Sequence, residues 1–215
     1  MGSDVLNGIL RKFSPLPKTR ARLCVGARVG QPDMSADDFF VRAALRDDAA
    51  AIARIFVESW RESYAGMLPA NYLVRLSEVR QRLLWTREIT RGGPHDGVLV
   101  AEHDYYGVFG FASFGPARDR AVGYDGEVYT IYVDPNHLGS GIGHALIQGA
   151  FSRLWAEGFK SAVVWALKGN PSRYFYENEG GRLVAERPGT IAGKPVQEIA
   201  FGFADIASAS GARVG

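Results

Sequence analysis

Three glycines, Gly139, Gly141 and Gly143, stand at alternate positions in IYVDPNHLGSGIGHALI, residues 131–147. They follow an apolar strand pattern that ends in Asp134-Pro135, and they open an amphipathic helix pattern. At a helix N-terminus the first backbone N–H groups lack an intrahelical partner and the dipole is positive, so such a junction binds anions. Glycine also lacks the Cβ that would hold a phosphate away. Spacing and context point to a phosphate-bearing ligand; the plainer alternative is a flexible loop in a chain that holds 26 glycines. Other signatures fail. From Gly139 the sixth place is His144, which breaks the dinucleotide fingerprint G-x-G-x-x-G. The single Gly-Lys pair, Gly193-Lys194, runs into Pro195 and is no P-loop. A G-x-S-x-G elbow and an H-E-x-x-H zinc pair are both missing. His95, His103, His137 and His144 have no ligand spacing and read as surface or capping residues, so no metal is expected.

The elements that must position this junction follow from periodicity. FFVRAAL from Phe39 reads as a short strand. Asp47-Asp48 then suit a helix start, and Ile52, Ile55, Phe56 and Trp60 form its apolar stripe. A second helix is predicted from Tyr72, Leu73, Leu76, Leu83, Leu84 and Ile89, ending at Gly92-Gly93-Pro94. Gly97–His103 and Tyr106–Phe114 read as a hairpin about Asp104-Tyr105. A strand over 127–135 leads through the glycines into a helix carrying Ile142, Leu146, Ile147, Ala150, Phe151 and Leu154. A strand at 161–167, a short helical piece at 170–179 and two closing strands near 181–187 and 194–203 complete the order. This is an α/β layout with a mixed sheet, in which the unit 127–167 places two strands in parallel through a right-handed crossover.

EVYTIYVDPNHLGSGIGHALI resembles motif A of the GNAT superfamily of acyl-CoA-dependent N-acetyltransferases. Further on, WALKGNPSRYFYENEGG is similar to that family's motif B, and ESWRESYAGMLP looks like the first-helix region of many bacterial members. The likeness covers roughly residues 40–204. It implies a GNAT-like twisted sheet, mostly antiparallel, with a parallel strand pair at the acyl-CoA site and flanking helices. It departs at Leu138, where the family usually carries Arg or Gln, so a side-chain contact to the pyrophosphate is lost while the backbone cradle remains.

The resemblance implies acetyl-CoA as cofactor. Ile131, Tyr132 and Val133 would meet the thioester and pantetheine arm through their backbones. Leu138, Gly139, Ser140, Gly141, Ile142 and Gly143 would take the pyrophosphate, and Asn170 and Phe175 would border the arm. Asn170 also reads as the N-cap of its short helix. The expected reaction passes acetyl to a primary amine of a small molecule or peptide, directly within a ternary complex. A lysine-like amine near pKa 10.4 costs about 4.6 kcal/mol to hold neutral at pH 7, so a base is needed. Glu127 matches the place of that base in several members; its alternative is a solvent-facing strand end. Tyr176 matches the motif B tyrosine that protonates the leaving thiolate; its alternative is a core aromatic beside Phe175. Trp60, Tyr64 and Tyr129 are candidate walls of the acceptor pocket, or core aromatics.

Bulk properties set the frame. At 215 residues with 47% hydrophobic and 22% charged residues, the chain suits one globular domain. Its single Cys24 excludes a disulfide framework, removes an obvious acyl-cysteine nucleophile and favours a cytoplasmic setting. A net charge of +2 argues against a dedicated nucleic-acid partner, and no apolar run has the length of a membrane span. Residues 1–38 hold Pro15, Pro17, Pro32 and a basic excess, with Arg11, Lys12, Lys18, Arg20, Arg22 and Arg28 against Asp4 over the first thirty. They are expected to be a disordered arm, a targeting segment, or upstream residues before a start at Met34. The folded domain is expected over 39–205 and a flexible tail over 206–215. The family's closing strands often pair across subunits, which makes a homodimer a further expectation. Two rival readings stand beside the enzyme. One is a non-catalytic acyl-CoA sensor. The other is a phosphate-binding module unrelated to CoA.

Overall fold

The structure is a computed structural model that describes residues 39–209, so the predicted arm at 1–38 lies outside the described residues. Phe39–Ala43 forms β1, and a 3-10 turn at Arg46–Asp48 leads into α1, Ala49–Ser63. Asp48 holds this start by accepting the Leu45 N–H at 2.7 Å and pairing with Arg42 at 2.6 Å. Then come α2 (Ala70–Val74), α3 (Glu78–Arg91), β2 (Gly97–His103), β3 (Gly107–Pro116) and β4 (Gly126–Val133). After a 3-10 turn at Pro135–His137 follow α4 (Ile142–Ala156), β5 (Ala162–Leu167), α5 (Ser172–Asn178), β6 (Arg182–Ile191), β7 (Lys194–Phe203) and α6 (Ile206–Ala209).

The seven strands make one sheet in the order β1-β2-β3-β4-β5-β7-β6. Every neighbouring pair is antiparallel except β4–β5, which α4 connects as a parallel crossover. On one face α4 buries Ile142, Leu146, Ile147, Ala150, Phe151 and Leu154, the stripe read from the sequence. Each large side chain there contributes about 1.5–3 kcal/mol relative to exposure. On the other face α1 buries Ile52, Ile55, Phe56 and Trp60 against Phe111 of β3 and Tyr132 of β4. No helix among the described residues is long and apolar enough to cross a membrane.

Three expectations need correction. The helix predicted through 72–89 is two helices, because Ser77 caps a new start by accepting from the Arg80 N–H. Its predicted stripe faces inward only in part: Leu73 is buried and Tyr72, Leu76 and Ile89 pack on the α1-side core, but Leu83 is 69% exposed, and the buried side chains of α3 are Gln81, Trp85 and Glu88. The face that turns inward is the one that carries Trp85, which packs against Phe56 of α1 and Phe111 of β3. Finally, the expected flexible tail begins with α6, whose Ile206 is wholly buried in the α4-side core and donates its N–H to the Lys160 carbonyl at 3.1 Å.

Candidate active site

The parallel β4–β5 ladder is short. It joins Gly126–Val128 to Ala162–Val164, yet β4 runs on to Val133 and β5 to Leu167. Beyond Val128 the strands part, so the inner edge of β4 at Ile131–Val133 is left without a ladder partner on that side. A bulge near Tyr129, where Ser113 pairs with Thr130 and Phe114 with Val128, adds a local twist here. Ile131 and Val133 pack toward α4, while Tyr132 packs toward α1.

The glycine junction adjoins this gap. Asp134 fixes the approach: its carboxylate accepts from the Asn136 N–H at 3.0 Å and from Arg54 at 2.8 Å. Burial alone would raise its pKa, but the bonds from Arg54 and Asn136 hold it below the usual value. Gly139 and Gly141 both have φ of +81°, and a Cβ at either would meet nothing within 4 Å. Gly141 is the N-cap of α4. Conformation and open space, rather than packing, therefore select glycine at these two places. Gly143 differs, since a Cβ there would come within 3.2 Å of the Phe175 ring, so it seats α5 against α4. Ser140 donates to the His137 carbonyl at 2.6 Å, and Leu138 is 66% exposed beside the loop. These features fit a diphosphate laid on the N-terminus of α4.

On the α1 face, polar groups close over the gap. Trp60 Nε1 donates to the Tyr132 hydroxyl at 2.9 Å, and the Tyr64 hydroxyl lies 3.5 Å from that of Tyr132. Tyr64 also bonds Asn170, whose Oδ1 caps α5 through the Ser172 N–H at 2.9 Å. The N-cap reading of Asn170 thus holds. Burial raises the pKa of Tyr64 and of Tyr132, so both stay protonated at neutral pH. Tyr176 is on the α4 face, packed on Phe175 and Phe201, and burial pushes its hydroxyl pKa up as well. Its next influence is Tyr64, across the sheet.

Glu127 does not face solvent. It is 1% exposed, and Arg118 grips it: the Arg118 N–H donates to Oε2 at 2.9 Å and Nε to Oε1 at 3.0 Å, with a further guanidinium bond. The Arg118 guanidinium also lies 4.6 Å from the centre of the Tyr129 ring. The carboxylate therefore anchors Arg118 beside β4. Tyr129 is not only a wall either; its hydroxyl lies 2.8 Å from the Pro116 carbonyl and 3.0 Å from Asp96 Oδ1. One hydroxyl proton cannot serve two acceptors, so a protonated Asp96 suits this geometry.

Sequence reasoning missed that neighbourhood. Burial pushes Asp96 up to about 6 and Glu88 up to about 7, and Asp96 adds to the shift of Glu88. Glu88 shares the inward face of α3 with Gln81 and Trp85, whose Nε1 is buried without a hydrogen-bond partner among the described residues. The available signal was small: polar residues at 81 and 88 flank Trp85 at helical spacing, and the stronger Leu pattern masked it. Arg118 was missed because it belongs to the turn-rich stretch after β3.

Comparison with known proteins agrees with this geometry. Residues 54–181 match the pattern of the Acetyltransferase (GNAT) family. The chain is 37% identical over 168 residues to "Uncharacterized N-acetyltransferase YuaI" of Bacillus subtilis (strain 168), covering 78% of this chain and 94% of that protein. An archaeal relative from Archaeoglobus fulgidus, also called an N-acetyltransferase, is 30% identical over 147 residues, covering 65% and 90%. Among solved structures, an N-acetyltransferase from Staphylococcus aureus Mu50 shares the fold with a TM-score of 0.61 at 22% identity, covering 78% of this chain and 98% of that one. YncA of Salmonella typhimurium, solved with its cofactor acetyl-CoA, has a TM-score of 0.58 at 24% identity over 78% and 94%. The mixed sheet with its one parallel pair, the glycine junction and these relatives agree: the chain belongs to the Acetyltransferase (GNAT) family.

Proposed function

We propose that this chain transfers acetyl from acetyl-CoA to a primary amine of a small molecule or peptide, by direct attack within a ternary complex. The observation that carries the reading is the parting of β4 from β5 beside the open glycine junction. A diphosphate on the N–H groups of 139–143 would leave an extended arm beside the unpaired edge of Ile131–Val133. Acetyl-CoA, when bound, supplies an activated acyl group and a thiolate leaving group.

The chain's own groups supply the rest. We assign protonation of the leaving thiolate to Tyr176, and its raised pKa, which keeps the hydroxyl protonated, supports that role. We assign removal of the amine proton to a buried carboxyl: Glu127, at the start of β4, is the base that the resemblance implies, and Glu88, which burial pushes up to about 7, is the second candidate. The Glu127 carboxylate also holds Arg118 over Tyr129. The single cysteine fits a reducing, cytoplasmic setting.

The test is thermal shift followed by turnover. Acetyl-CoA should raise Tm well above the shift from NAD or ATP. A screen of amines should then release free thiol, and Tyr176→Phe should slow that release while leaving acetyl-CoA affinity intact. Equal shifts from all three ligands would support a phosphate-binding module instead. Selective acetyl-CoA binding without thiol release from any amine would support a sensor.

A further inference from the structure

Tyr64 bridges the two strands where their ladder stops. Its hydroxyl reaches Tyr132 on β4 and Asn170 in the turn after β5, so one oxygen spans the gap from the α1 face. The direction of the bonds follows from donor and acceptor capacity. Trp60 Nε1 can only donate, so the Tyr132 oxygen accepts at 2.9 Å. Asn170 Oδ1 accepts from Ser172, which turns its NH₂ group toward Tyr64. Between Tyr132 and Tyr64 only one proton can lie in their shared bond, so the pair always has one hydroxyl proton left over. Tyr132 is enclosed by Phe56 at 5.5 Å and Phe111 at 5.6 Å, between ring centres. Its proton therefore goes to Tyr64, and the spare proton belongs to Tyr64, at the gap.

The two faces of the sheet order the chemistry. The glycine junction and Tyr176 belong to the α4 side; Tyr64, Trp60 and Tyr132 belong to the α1 side. Tyr64 and Tyr176 nevertheless influence each other electrostatically, so they are neighbours although they pack in different cores. An arm that starts at the junction and passes between β4 and β5 presents its sulfur first and its acyl carbonyl after it. We infer that the Tyr64 hydroxyl donates a hydrogen bond to the acyl carbonyl oxygen, on the face opposite Tyr176. This deepens the acetyltransferase reading and rests on it. When the amine attacks the carbonyl carbon, the C=O electron pair moves onto that oxygen, and the preset Tyr64 donor stabilises the charge. As the C–S bond breaks, the pair re-forms the C=O, the sulfur leaves with the bonding electrons and takes a proton from Tyr176, and the amine gives its proton to the buried carboxyl. Tyr132 and Asn170 are positioning residues that fill the Tyr64 lone pairs and aim its proton, and Trp60 fixes Tyr132.

The experiment compares affinity for acetyl-CoA and for CoA by calorimetry in the wild type, Tyr64→Phe and Tyr176→Phe. In the wild type acetyl-CoA should bind more tightly than CoA. In Tyr64→Phe that preference should shrink by about 3–10-fold, the worth of one hydrogen bond, while CoA affinity stays constant and reports an intact fold. Tyr176→Phe should keep the preference. Turnover of Tyr64→Phe should fall by about 100-fold, as for loss of one oxyanion donor. Tyr132→Phe should move both readouts the same way, less strongly. Wild-type binding with an unchanged acetyl-CoA preference in Tyr64→Phe overturns the Tyr64 assignment alone. A wild type that binds neither acetyl-CoA nor CoA overturns the acetyltransferase reading and this assignment with it.

Discussion

Glu88→Gln tests the buried carboxyl pair through stability as well as rate. Burial first, and Asp96 second, raise the Glu88 pKa from the usual 4.5 to about 7, while Arg87 opposes the shift. Asp96 moves in the same direction, to about 6, with burial as its main cause and Tyr129, Gly93 and His95 opposing. The folded state therefore holds these protons more tightly than the unfolded chain does. The stability that protonated Glu88 contributes is complete below about pH 4.5 and is lost as pH rises through about 7. At 1.36 kcal/mol per unit, the shift sets an upper bound of about 3.4 kcal/mol. Water reaching the carboxyl oxygens screens it, and about 1–2 kcal/mol is the expected size. Glutamine keeps the shape and never ionises. At pH 8 the variant should be more stable than the wild type by that amount, which is about 2–8 °C in Tm for a domain of this size. At pH 5 the difference should shrink to about a quarter of that, and below about pH 4 the two should melt together. Calorimetric melts at both pH values are the assay, with the acid limb of the turnover profile as a second readout; it should flatten in the variant, with a rate loss of about 100-fold or more. A Tm difference that is the same at pH 5 and pH 8 would refute the raised pKa, and an unaltered acid limb would remove Glu88 from proton removal.

Two further outcomes follow from the geometry. Gly141→Ala places a methyl where the protein has nothing within 4 Å, at a φ of +81°; Tm should fall by only a few degrees, about 1–2 kcal/mol of strain, while acetyl-CoA affinity by calorimetry drops more than tenfold. Arg118→Met leaves Glu127 buried and unpaired, so denaturant melts should show a loss of about 2–4 kcal/mol, discounted for the partly exposed guanidinium, and the double variant with Glu127→Gln should recover much of it.

The fold was legible where one face of an element carries the signal. The α4 stripe, the α1 stripe and the β2–β3 hairpin all repeat with the period of their own backbone, and each is buried as that period requires. α3 was misread because Leu83 and Leu84 look like a core stripe, whereas the helix turns the face of Trp85 inward, against Phe56 and Phe111, and carries Gln81 and Glu88 in with it. α6 was misread because a stretch of small residues hides one anchoring side chain, Ile206. In the site, the glycine junction was legible from local order alone. The state of Glu127 was not, since the turn residue Arg118 that occupies it gives no periodic signal.

The sequence by itself determined the strand–glycine–helix junction, because the left-handed φ of Gly139 and Gly141 and the free N–H groups of α4 are properties of neighbouring residues. It also determined the order of elements that makes β4 and β5 parallel. Only the tertiary structure decided which carboxyl is anchored and which holds its proton, and which tyrosine hydroxyl faces the gap. Those properties depend on desolvation and on hydrogen bonds between groups far apart in the chain, such as Tyr64 with Asn170 and Tyr129 with Asp96, and neither is written in local spacing.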